Sequence, residues 1–173
     1  LDYLIQTYNK PTVVWGQGIA MGGGLGVLTA CSHKIATETT RIAMPEITIG
    51  LFPDAGATYA LSRMPEHYAH FLAWTGANIN GEDAKRVGMI DYLINNDQQE
   101  AVVNAITSHS WAGNIADTLD QLLNTFALDS RGFPPSQLAM HDQVISETVN
   151  AALASDNPVR EFLEQCESLS DDR

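Results

Sequence analysis

Two acidic side chains sit in proline-fixed turns. In MPEITIGLFPD, residues 44–54, Glu46 follows Pro45, and Asp54 follows Pro53 eight residues later. Both have apolar neighbours: Met44 and Ile47 around Glu46, Leu51 and Phe52 before Asp54. Apolar surroundings disfavour a charged carboxylate, so an acid placed there can act as general base or nucleophile near neutral pH. Structural uses fit the same residues, Glu46 as a turn acid and Asp54 as the N-cap of a following helix. A second candidate is GIAMGGGLG, residues 18–26, with Gly22, Gly23 and Gly24 in a row. Glycines opening a helix leave unpaired N–H groups facing outward at the positive end of its dipole. A developing oxyanion can approach such amides closely because no Cβ intervenes. Tight packing of a helix on a sheet is the competing use of the same glycines.

Other chemistries find less support. A dinucleotide fingerprint needs a third glycine where Met21 or Val27 stands, and no P-loop lysine follows the run. No GxSxG elbow occurs. His67 and His70 lie three apart, a spacing that can hold a metal, but no acid or cysteine is spaced to complete the site. All five histidines read as structural or surface residues, and Trp15, Trp74 and Trp111 as core. Cys31 and Cys166 have no CxxC or zinc spacing; Cys31 ends an apolar run and reads as a small hydrophobe, which points to a reducing compartment.

The elements that must position these groups alternate in the first half of the chain. Residues 1–9 read as an amphipathic helix (Leu1, Leu4, Ile5, Tyr8), ended by Lys10-Pro11. Residues 12–16 form a β-branched, apolar strand. Residues 25–33 read as a buried helix, residues 34–38 and 41–45 as extended pieces, and the apolar stretch after Pro45 as extended. A helix is expected to begin between residues 55 and 58, capped by Asp54. Another covers 65–76 and ends at Gly76; a short one stops at Gly88; residues 89–94 alternate as a strand. Beyond Asn95 the pattern is helical, over 98–108, 114–128, 137–153 and 158–169, with a break at Gly132-Phe133-Pro134-Pro135. The order is that of an α/β core carrying a mostly helical C-terminal region. The division expected is a core over residues 1–95 and a helical region over residues 96–173. Because the chain opens inside an amphipathic pattern, the N-terminal part of the fold is expected upstream of Leu1.

Composition narrows the partners. The 173 residues are 45% hydrophobic and 17% charged, enough for one core. With 21 acidic against 9 basic residues the formal net charge is -12, which argues against nucleic acid and anionic membrane surfaces. No run reaches the roughly 18 apolar residues of a membrane span.

Residues 10–94 resemble the enoyl-CoA hydratase/isomerase (crotonase) superfamily. The strand, glycine triplet, buried helix, "PE…G…P" segment and "TG…I…A…G" helix follow in that superfamily's order. The resemblance implies a crotonase-like ββα-spiral core. It also implies that the Gly23 amide, with Gly22 beside it, holds the carbonyl oxygen of an acyl-CoA thioester, a second amide coming from an upstream loop. Hydratases of the superfamily carry two catalytic glutamates; here the first of those positions is Gly26, and the second is Glu46. Glu46 with Asp54 and with Gly26 in place of the first acid is similar to the 3-hydroxyisobutyryl-CoA hydrolase branch, which cleaves a thioester in valine breakdown. The expected catalytic pair is Glu46 and Asp54, with no metal and no cofactor beyond the coenzyme A of the substrate. The resemblance further implies a possible homo-oligomer, in a bacterial cytoplasm or a mitochondrial matrix. A hydratase or isomerase using Glu46 alone, and a non-catalytic acyl-CoA binder, are the alternatives.

Overall fold

A computed structural model describes Tyr3, Ile5 and residues 7–54, 56–127 and 132–171. The first half of the chain feeds two small sheets in turn. Strand β1 (Val13–Gly16) enters one sheet and β2 (Ile19–Met21) the other; helix α1 (Gly23–Ala30) then returns the chain to the first sheet. The same step repeats, β3 (His33–Ala36) pairing parallel with β1, and β4 (Arg41–Ala43) pairing parallel with β2. A 3-10 turn (Pro45–Ile49) follows, then α2 (Ala57–Leu61), α3 (Glu66–Thr75), β5 (Ile79–Asn80), α4 (Gly81–Arg86) and β6 (Tyr92–Leu93). The sheets run β1-β3-β6 and β2-β4-β5. Among the described residues, only the β4–β5 pair is antiparallel. After a short 3-10 turn (Asn96–Gln98) come α5 (Gln99–Ser108), α6 (Ile115–Ala127), α7 (Gln137–Met140), α8 (Asp142–Leu153) and α9 (Pro158–Asp171). The architecture is a ββα-spiral α/β core with a helical C-terminal region.

One apolar cluster joins α1 (Leu25, Leu28), β4 (Ile42) and α3 (Tyr68, Leu72) to Leu138, Val149 and Phe162 from the last three helices. A second, built on Ile35, Tyr92 and Ile94, packs against Val102 of α5 and Leu119 and Leu123 of α6. Helix α4 starts on a reciprocal capping box in which the Asn80 side chain accepts from the Asp83 N–H and Asp83 accepts from the Asn80 N–H. Fully buried Asp83 also accepts from the Ser136 hydroxyl (2.6 Å) and the Leu138 N–H (2.9 Å), tying the start of α7 to the core.

Several local expectations change. The stretch after Pro45 is a 3-10 turn rather than extended, because Pro45 presets its first φ and Gly50, at φ 74°, ends it. Asp54 is not a side-chain cap: α2 begins at Ala57 with Gly56 at its N-cap, and only the Asp54 carbonyl takes part, accepting from the Ala57 N–H (2.8 Å). Strands β2 and β5 were not legible, being three and two residues long. Helix α1 runs Gly23–Ala30 rather than 25–33, and His33 belongs to β3. The expected strand 89–94 narrows to Tyr92–Leu93, flanked by backbone bonds from Asp91 to Lys34 and from Ile94 to Ala36. The expected helix 137–153 breaks at His141. Leu1, Leu4, Ala55 and residue 128, which several expectations included, lie outside the described residues.

Candidate active site

The register of the second sheet decides what meets at its edge. Met21 pairs with Ala43 at the ends of two parallel strands, about 4.8 Å apart. Gly22 and Gly23 follow one strand end and the Pro45-Glu46 turn follows the other. Carboxyl ends of parallel strands are where α/β folds expose helix N-termini and loops to ligands. The sequence separation of 23 residues between Gly23 and Glu46 says nothing of this; strand pairing brings them to one edge.

The glycines differ from each other in what surrounds them. Gly22 caps α1 with φ 52° and ψ -125°, a backbone that L side chains rarely adopt. Among the described residues, a Cβ built on Gly22, Gly23 or Gly24 would meet nothing within 4 Å. Close packing therefore does not explain the triplet. Gly16, by contrast, is a packing glycine: a Cβ there would lie 2.8 Å from Leu28 Cδ1 and 3.1 Å from the Ile35 carbonyl oxygen. In the first turn of α1, the Leu25 and Gly26 N–H groups turn back to the Gly22 carbonyl, whereas those of Gly23 and Gly24 have no acceptor among the described residues. Two open amides at a helix N-terminus can stabilise negative charge on an approaching oxygen.

Glu46 is 8% exposed, and its Oε2 is buried without a hydrogen-bond partner. A buried carboxylate oxygen left unpaired is rare enough to need a reason, and a reacting group is one. Around it Ile47, Ile49, Leu51 and Phe52 are exposed, an apolar rim that can receive an acyl chain. Asp54 is exposed, and no hydrogen bond links it to Glu46. Gly22 and Gly23 thus follow the end of β2, Glu46 lies three residues past the end of its parallel partner β4, and Asp54 stands in the exposed loop that comes next.

The histidines are engaged elsewhere. His67 Nε2 lies 3.2 Å from Asp142 Oδ1, while His70 Nδ1 lies 3.0 Å from the Glu66 carbonyl, so the two do not converge. Among the described residues, no group of three or more His, Cys, Asp or Glu side chains is placed to hold a metal. Sequence reading missed a hydroxyl–imidazole–carboxylate series: Ser32 Oγ to His33 Nδ1 (2.8 Å) and His33 Nε2 to Asp120 (3.2 Å). Ser32 donates its one proton to the Thr12 carbonyl, so the series clamps β1 and β3 to α6 instead of presenting a nucleophile. The Tyr92 hydroxyl donates to the same Asp120, and burial, then that bond, pushes the phenol well above its usual range. Two clefts, of about 90 Å³ beside Lys34 and Arg63 and about 300 Å³ between Phe71 and Val144, contain neither Glu46 nor the triplet.

The family model for enoyl-CoA hydratase/isomerase matches residues 1–173. The chain belongs to the enoyl-CoA hydratase/isomerase family. Among its relatives, a probable 3-hydroxyisobutyryl-CoA hydrolase 2 from Arabidopsis thaliana is 44% identical over 94 residues, covering 54% of this chain and 25% of the relative. The mitochondrial 3-hydroxyisobutyryl-CoA hydrolase of Xenopus tropicalis is 35% identical over 158 residues, covering 88% of this chain and 40% of the relative. The crystal structure of a carnitinyl-CoA dehydratase from Mycobacterium thermoresistibile superposes with a TM-score of 0.71 at 32% identity, covering 93% of this chain and 48% of that one. The chain therefore spans between a quarter and a half of the length of these relatives. The second of them reaches beyond residues 10–94 into the helical region.

Proposed function

We propose that this chain carries the thioester-cleaving edge of an acyl-CoA hydrolase acting on 3-hydroxyisobutyryl-CoA, a step of valine breakdown. The observation that supports it most is the buried, unpaired Oε2 of Glu46, in the turn that follows β4, while Gly23 follows the parallel partner strand β2. The named hydrolases among its relatives favour the same reaction. Gly23 N–H, presented by the left-handed turn at Gly22, would stabilise the oxyanion that forms when the thioester carbonyl is attacked. Glu46 would either attack that carbonyl, giving a mixed anhydride that water then opens, or take a proton from the attacking water. Either route consumes one water and yields the free acid and the coenzyme A thiol. Asp54 would orient water or the substrate 3-hydroxyl from the loop. Coenzyme A enters as part of the substrate, and no further cofactor is invoked. In this reading residues 1–95 carry the chemistry and residues 96–173 pack the core and support oligomer contacts. The compartment would be the mitochondrial matrix in a eukaryote, as for the mitochondrial relative, or the cytoplasm in a bacterium.

The likeness to a dehydratase favours a second reading, hydration or dehydration of an enoyl-CoA with Glu46 as the sole acid. Gly26, at the position the resemblance gives to a second glutamate, weighs against it. The test is Glu46→Gln in the full-length protein, assayed for thiol release from 3-hydroxyisobutyryl-CoA and for hydration of crotonyl-CoA. Thiol release by the wild type, lost by at least about 10²-fold in the variant, supports the hydrolase. Hydration lost instead supports the second reading, and tight acyl-CoA binding with neither turnover would make the chain a binder.

A further inference from the structure

No hydrogen bond from a described residue reaches either carboxylate oxygen of Glu46, so its place depends on how the Pro45 turn is packed. The element behind that turn is the end of α3. Gly76 closes this helix at φ 63°, its N–H donating to the Leu72 carbonyl (3.0 Å). Thr75 tightens the same bend, its hydroxyl donating to the Phe71 carbonyl (2.6 Å) and accepting from the Ala77 N–H (3.2 Å). A Cβ on Gly76 would stand 3.2 Å from Pro45 Cα, 3.4 Å from the Met44 carbonyl oxygen and 3.4 Å from Ile47 Cγ2. All three atoms belong to the residues flanking Glu46, and two of them are backbone. The two approaches at 3.4 Å are ordinary contact, but Pro45 Cα at 3.2 Å is backbone and cannot swing aside as a side-chain tip does, so the turn itself must give by a few tenths of an ångström. Gly76 thus has two separate reasons to be glycine, its left-handed φ and its contact with the turn. Gly88 (φ 78°) and Gly113 (φ 73°) share the first reason alone, since a Cβ there would meet nothing within 4 Å.

We infer that Gly76 is a positioning residue for Glu46, the C-terminal turn of α3 serving as the backstop against which the Pro45 turn is set. This rests on the reading of Glu46 as the reacting carboxylate. Misplacing a reacting group by about 1 Å costs on the order of 10²-fold in rate, so a shift of a few tenths of an ångström at Pro45 is expected to cost several-fold. The test compares Gly76→Ala and Gly76→Asn with Gly88→Ala and Gly113→Ala, which share the backbone strain without the contact. Asparagine tolerates the left-handed region better than alanine, so Gly76→Asn keeps the contact where Gly76→Ala fails to fold. Expected for both Gly76 variants is a fall in kcat of about 3-fold or more with KM within about 2-fold, together with displaced methyl NMR signals of Met44 and Ile47. The two control variants should leave kcat and those signals at wild-type values. The inference is overturned if the Gly76 variants match the controls in kcat, or if the Met44 and Ile47 signals stay in place. Glu46→Gln separates the two levels. If it retains full activity, the functional reading fails; if it is dead while Gly76→Asn is fully active, only the positioning role fails.

Discussion

At the residue scale, Gly23 and Gly16 show one residue type doing opposite jobs: one faces open space among the described residues and the other is wedged between a side chain and a backbone oxygen. Gly23→Ala should therefore leave the thermal midpoint unchanged or slightly raised, since alanine is the better helix former and nothing obstructs its methyl. The same substitution should lower thioester cleavage on the order of 10²-fold, because the methyl occupies the approach to the amide. Thermal unfolding and thiol-release kinetics on one preparation check both halves. A large loss of stability at Gly23 would return the triplet to a packing role.

At the element scale, α1 lies across β1 through Gly16, where a Cβ would force the Leu28 side-chain tip aside and press on the Ile35 carbonyl oxygen. Gly16→Ala should cost about 1–3 kcal/mol in denaturant unfolding, because the Ile35 carbonyl opposite belongs to a paired strand and cannot retreat. The β2–β4 register is the other element-level determinant. It sets the start of α1 beside the Pro45 turn, and a one-residue slip would turn every side chain of the strand to the other face. That pairing, more than any property of Glu46 alone, makes the sheet edge a candidate site.

At the scale of the whole molecule, the helical C-terminal region is held to the core by a polar node as well as by the shared apolar cluster. The Tyr68 hydroxyl donates to Asp142 at the start of α8 and accepts from Arg86 Nε (2.9 Å), while His67 Nε2 lies 3.2 Å from the same carboxylate. The bond from Tyr68, ahead of the opposing cost of burial and with help from His67 and Arg86, holds the Asp142 carboxyl below its usual range. A carboxyl lowered in the folded state adds stability that is complete above its unfolded value of about 3.9 and is lost as pH falls through the lower folded value. The thermal midpoint of the wild type should accordingly fall more steeply below pH 4 than that of Asp142→Asn, which lacks the titrating group. Parallel pH profiles for the two proteins would remove Asp142 from the acid stability of this junction.

By itself the sequence determined the α/β order, the helical second half, the glycine triplet, Glu46 and the family they resemble, because these depend on residue type and short-range spacing. Gly76 was legible as a helix stop for the same reason: its φ is a local property. Tertiary structure decided the rest. It showed Gly22–Gly24 facing open space while Gly16 took the packing role, and it left Asp54 exposed in a loop instead of capping α2 with its side chain. It also set Gly76 against the Pro45 turn 31 residues away and buried one oxygen of Glu46 without a partner. Burial, strand register and contact between distant turns are relations among residues far apart in the chain, and local pattern carries no record of them until the sheets and helices close on one another.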